Sequence, residues 1–220
     1  MHCSMKRVII LVMGLLMVTL LPAQNVERAK QLLEQTSKKM QSFQTLSASF
    51  IFTMENNRMG INEKNSGTLL LKGAKYQVNL PDLGMQVFSD GKTVWNFMEA
   101  ANQVMVTNAG DNSQGGIDPS MIFNVYQEGF SYTFVDEKSV SNKTIAYMDL
   151  VPEDQSGDFT KITVGVDKNA LMVHSLVTHG KDGNLYGIYV NDYRTNQPID
   201  DGQFVFSKTA HPRVEEIDFR

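Results

Sequence analysis

From Ser47 to the C-terminus, apolar residues recur at every second position in short runs, and most runs end in Gly, Asn or Asp before the next begins. Strands that alternate in this way have one wetted face, and such short turns join only antiparallel neighbours. The pattern therefore reads as many strands, with one long and one short helix. In the first run Ala48, Phe50, Phe52 and Met54 share one face and Ser47, Ser49 and Thr53 the other, with Ile51 the exception. Further strands are predicted over 67–71, 76–80, 85–89, 93–97, 103–107, 131–135, 144–151, 160–166, 171–179, 185–193 and 204–207. The pair Asp90-Gly91, flanked by Val87-Phe88-Ser89 and Thr93-Val94-Trp95-Asn96-Phe97, predicts a hairpin, because Asp-Gly tolerates the positive φ of a tight turn.

Two segments break the period. From Asn25, a good N-cap residue, Val26, Ala29, Leu32, Leu33 and Met40 fall on one face of an amphipathic helix. In mid-chain, a polar, glycine-rich stretch over 108–116 leads into Asp118-Pro119, an N-cap followed by the proline that favours a first helical turn. Met121, Ile122, Val125 and Tyr126 follow at helical spacing. This second helix, set on a glycine-rich hinge halfway through a meander, reads either as a movable lid or as a plug in the end of a sandwich or barrel.

Lys6 and Arg7 precede an apolar run from Val8 to Leu21, and Pro22-Ala23-Gln24 supplies a cleavage zone. Residues 1–24 are read as a secretory signal peptide, since the run falls short of the ~20 residues a bilayer span needs. Residues 25–220 are then one domain, expected to be monomeric and periplasmic. Cleavage removes Cys3, the only cysteine, so no disulfide is expected, and Cys3 precedes the apolar run where a lipidated cysteine would follow it. With Lys6 and Arg7 gone from the 20 basic residues, 18 stand against 24 acidic ones, a formal charge of −6. That balance gives no basic face to nucleic acid or to an anionic membrane.

Signals of catalysis are lacking. The sequence has no phosphate-cradling glycine loop, no Gly-x-Ser-x-Gly elbow and no His-Glu-x-x-His pair, so neither an enzyme nor a metal or other cofactor is indicated. His174 and His179, five apart on one predicted strand, should point to opposite faces. The acidic pairs Asp136-Glu137, Glu153-Asp154, Asp200-Asp201 and Glu215-Glu216 read as solvated charges at turns and strand ends. The chain is rich instead in methionine and strand aromatics, which suit a surface accepting flexible acyl chains or equally a core packed on itself.

Several motifs, in order, are similar to those of the LolA-type periplasmic carriers of outer-membrane lipoproteins. The opening helix runs into Ser42-Phe43-Gln44-Thr45-Leu46-Ser47-Ala48-Ser49-Phe50, and Gly67-Thr68-Leu69-Leu70-Leu71-Lys72 resembles the family's next strand. Ser89-Asp90-Gly91-Lys92-Thr93-Val94-Trp95 closely resembles its signature hairpin, and Phe204-Val205-Phe206 echoes its closing Phe-x-Phe. The resemblance implies a mainly β (α+β) fold: a curved, incomplete antiparallel β-barrel of about 11 strands, with N-terminal and mid-chain helices forming a lid over an apolar hollow. In that frame Phe50, Phe52, Tyr76, Val78, Leu80, Val87 and the lid residues Met121, Ile122 and Val125 line the hollow, the parity of Val87 being left open by its neighbouring turns. It implies acylated lipoproteins as cargo, an inner-membrane lipoprotein-releasing ABC transporter as donor and an outer-membrane acceptor. Lys72 stands where the family has a latch arginine, and Val78 where it has tryptophan. A single-point ammonium cannot reproduce a guanidinium fork, which leaves open a binder of another hydrophobic molecule, such as a glycolipid or pigment, or a lipoprotein sensor.

Overall fold

The computed structural model describes residues 20–110 and 129–220, with the side chains of 20–23 left out. Residues 1–19 of the predicted signal peptide, and the predicted mid-chain helix with Met121, Ile122 and Val125, lie outside the described residues. Among the described residues one helix, α1 (Leu20–Gln41), precedes twelve strands. The first six are β1 (Leu46–Asn56), β2 (Ile61–Lys72), β3 (Lys75–Leu80), β4 (Met85–Ser89), β5 (Thr93–Met98) and β6 (Gln103–Asn108). After them come β7 (Phe130–Val140), β8 (Lys143–Pro152), β9 (Phe159–Asp167), β10 (Met172–Gly180), β11 (Leu185–Thr195) and β12 (Glu215–Asp218). Among the described residues no helix is long and apolar enough to cross a membrane.

All twelve strands form one curved, open sheet in the order β12-β6-β5-β4-β3-β2-β1-β11-β10-β9-β8-β7. It consists of two antiparallel meanders, β1 to β6 and β7 to β11, sewn together by β1 against β11. The seam is locked at its start: Asn196, at φ 57°, donates its N–H to Thr45 O at 2.9 Å and accepts from Gln44 N at 2.9 Å. Thr45 Oγ1 donates to Gln197 O at 2.6 Å. A bulge in β11 opposite Ser49 and Phe50 increases the local twist, as an extra residue does.

The helix already includes Leu20, so Asn25 lies inside it and does not cap it. Ala29, Leu33, Thr36 and Met40 form its wholly buried stripe. Val26, predicted on that stripe, is instead 45% exposed. Burying a side chain such as Leu33 or Met40 stabilises the packing by about 1.5–3 kcal/mol. The stripe packs across β7 and β10. Arg28 fixes the helix laterally, its guanidinium 3.8 Å over the Phe134 ring and ion-paired to Glu137, which Lys168 Nζ also reaches at 2.8 Å. Glu137 is thus the hub of a clasp between helix, β7 and the β9–β10 turn.

Two predicted features come out differently at the C-terminus. Residues 204–207 are not a strand: Asp201–Phe204 is a 3-10 turn, capped by Asp200, whose carboxylate accepts from Gly202 N at 2.7 Å. The alternation there is real, with Phe204 and Phe206 buried and Val205 exposed, but it records side chains gripping a sheet face and not backbone pairing. The strand that does form, β12, runs parallel to β6 as a short, acidic edge.

Candidate functional site: the concave face

Strand pairing decides which side chains share a face. Val78 pairs with Val87 and with Leu69, Leu69 with Ala48, and Phe50 with both Gly67 and Val190. Phe50, Phe52, Tyr76, Val78, Leu80 and Val87 therefore all fall on one face, and the parity of Val87 is settled by its pairing. Phe50, Val78 and Leu80 are buried, and Phe52, Tyr76 and Val87 are partly buried against the same apolar cluster. That cluster runs on through Met148, Ile162, Val164 and Leu176 to Ala29, Leu33 and Met40 of α1, so helix and sheet enclose one continuous apolar interior. Its second half, on β8 to β10, is where sequence reasoning placed no lining residue. The clue lay in the same alternation.

Space for Phe50 is made by Gly67. A Cβ at that position would lie 2.4 Å from Phe50 Cζ and 2.9 Å from Leu80 Cδ2, so the ring rests directly on the glycine backbone. This is the physical sense of the glycine that opens the second motif strand.

The signature hairpin faces both ways. Its aromatics Phe88, Trp95 and Phe97 point to the outer face, where Val104, Phe206 and Val214 complete a second core. His211 stacks on Phe206 with centroids 5.2 Å apart. Only alternate residues such as Met85 and Val87 belong to the concave side. Nor is the turn a two-residue one: Gly91 alone has positive φ, at 89°, and Asp90 Oδ1 accepts from Lys92 N and Thr93 N, both at 2.8 Å. Burial would raise the Asp90 carboxyl, but these backbone donors outweigh it and hold the pKa below the usual carboxylate value.

Lys72, at the end of β2, donates to Ile199 O at 3.1 Å and to Asp201 Oδ1 at 2.7 Å. Lys75 takes the other carboxylate oxygen at 2.7 Å. Hydrogen bonds from Lys72 and then Lys75 bring Asp201 down to about 2. The described partners of Lys72 thus belong to the C-terminal tail.

The outer face of the second meander carries a polar cluster beside apolar residues such as Ile145 and Val177. Lys161 Nζ and Thr163 Oγ1 both reach Asp149, at 2.6 Å each, and Thr163 Oγ1 lies 3.0 Å from His179 Nε2. Thr163 donates its one hydroxyl proton to Asp149 and so accepts from His179, which assigns the imidazole proton to Nε2. A bulge between Val173 and Ser175 breaks the parity that would have put His174 and His179 on opposite faces. Among the described residues no group of three His, Cys, Asp or Glu is placed to hold a metal ion.

Comparisons with known proteins agree with this geometry. An uncharacterised conserved protein from Thermus thermophilus superposes with a TM-score of 0.58 at 12% identity, over 87% of this chain and 99% of the other. A lipoprotein-sorting protein domain from Vibrio parahaemolyticus gives 0.49 at 11%, over 86% and 100%. A LolA superfamily protein from Nitrosomonas europaea gives 0.45 at 12%, over 81% and 97%. At 12% identity the likeness to the Thermus protein speaks for the fold alone. No curated protein matches the sequence. The family described as "Outer membrane lipoprotein carrier protein LolA" does match, over residues 41–207, from the end of α1 through the tail that Phe204 and Phe206 anchor. With three quarters of its length inside that match, the chain belongs to the LolA family.

Proposed function

We propose that this protein is a periplasmic carrier that shields the acyl chains of lipoproteins on the concave face while they pass from the inner to the outer membrane. One observation carries the reading: residues selected from β1, β3 and β4 as apolar lining share a single face, continuous with the buried stripe of α1. An exposed acyl chain of ~14 methylenes costs on the order of 11 kcal/mol in water, so cargo of this kind needs an enclosing apolar surface to travel. Residues 1–24 serve as the export signal, Met121, Ile122 and Val125 close the hollow, and Lys72 controls their movement in place of the family's arginine. An inner-membrane releasing transporter and an outer-membrane acceptor are the proposed partners, and no catalysis is assigned.

The test is mass spectrometry of the protein recovered from its native periplasm. Co-purified lipidated protein is the expected result. Free lipid or pigment without any lipoprotein would instead establish the second reading, a binder of another hydrophobic ligand. Val78 favours that alternative, because it leaves more room than the tryptophan of the family pattern.

A further inference from the structure

At the middle of α1, Thr36 occupies the buried stripe between Leu33 and Met40 and has no exposed surface. Its Oγ1 has no hydrogen-bond partner among the described residues. A threonine inside a helix can satisfy its hydroxyl on the carbonyl four residues earlier. This one does not, and a buried polar atom left unmade is destabilising. Local preference gives no reason for it, since valine has the same shape without the polar atom and leucine is the better helix former. The neighbouring positions of the stripe, Ala29, Leu33 and Met40, all belong to the apolar cluster that lines the concave face.

Building on the lipid-carrier reading of this interior, we infer that Thr36 Oγ1 is the polar anchor for the acyl carbonyl of the ligand. The hydroxyl donates its proton to an ester or amide carbonyl oxygen while the hydrocarbon runs along the sheet. A carbonyl is an acceptor without a donor, so one O–H satisfies it. The stripe residues beside it, Ala29, Leu33 and Met40, offer no charge, which suits this linkage and not a phosphate. The ligand class is therefore ester- or amide-linked fatty acyl groups in preference to ether lipids, plain hydrocarbons or polyene pigments.

The experiment compares 1-monooleoylglycerol with its ether analogue, 1-O-oleylglycerol, which differs only in lacking the carbonyl. Each lipid displaces a fluorescent apolar probe from wild type, Thr36→Val and Thr36→Ser. Wild type and Thr36→Ser should prefer the ester by about 3- to 10-fold, the range of one neutral hydrogen bond, and Thr36→Val should bind both alike. Lipid-free Thr36→Val should also melt about 2–6 °C higher, because it no longer buries an unpaired hydroxyl. An ester preference that survives in Thr36→Val, or no preference in wild type when both lipids bind, overturns the anchor. If wild type binds neither lipid, the carrier reading falls, and the anchor with it.

Discussion

Gly67 shows how one missing side chain shapes the interior. Adding a methyl there forces the Phe50 ring away from the sheet, since the Cβ would sit 2.4 Å from Cζ. Gly67→Ala should therefore destabilise the protein by about 1–3 kcal/mol, the usual range for overpacking, and weaken probe binding as the ring swings into the hollow. Urea denaturation and probe titration check both effects. His174 and His179 set a pH dependence. Burial is the first cause that lowers each imidazole from 6.5, with Lys143 adding to it for His174 and Lys161 for His179, while Asp167 and Asp149 oppose. The folded values lie below the unfolded one, so the unfolded chain takes up protons first. Stability should be complete above pH 6.5 and fall as pH drops through 6.5 toward the lowered folded values. Melting curves from about pH 8 to 5 check the sign, and His174→Gln/His179→Gln should flatten the slope. The alternation of Ala48 and Phe50 was readable because burial on one face writes itself into the sequence. The bulge that realigns His174 was not, because an extra residue leaves no compositional mark.

The C-terminal tail is the element whose role the sequence concealed. Its alternating phenylalanines suggested pairing, yet Phe206 instead packs against Phe97 and Phe88 on the outer face, with centroids 5.4 and 5.9 Å apart. Only the tertiary partner distinguishes the two cases, and that partner lies far away in the chain. β12 was hidden for the opposite reason, since Glu215-Glu216-Ile217-Asp218 has the charge of an edge and not the apolar signature of a strand. Phe206→Ala should cost about 3 kcal/mol or more while leaving probe affinity intact, because the second core lies on the face away from the hollow. Thermal unfolding and probe titration separate the two. At Lys72 the proposed latch makes the opposite prediction. Lys72→Arg presents a planar fork in place of a point charge, and an added bond of ~1–2 kcal/mol in the closed form should slow probe uptake about 5- to 30-fold. Stopped-flow association rates check it, and unchanged rates would leave Lys72 a clasp for Ile199 and Asp201 alone.

Across the whole molecule, the sheet order places β1 near the centre, with β2 on one side and β11 on the other, while β7 and β12 stand at the ends. The meander strands and their order followed from turn spacing. The seam did not, because nothing in Leu46 to Asn56 names its distant neighbour. Amide hydrogen exchange should accordingly find the slowest protons in β1, β2 and β11 and the fastest in β12. The seam also governs timing. The Thr45 to Gln197 bond that fastens it joins residues 152 apart, so the first strand to leave the ribosome waits for almost the last before its place is fixed. Closing so large a loop carries an entropic cost that slows the step, as high contact order does in general. Under the proposed export, in which the chain threads a secretion channel unfolded, this delay is an advantage: the topology keeps the nascent protein translocation-competent until nearly all of it has been made.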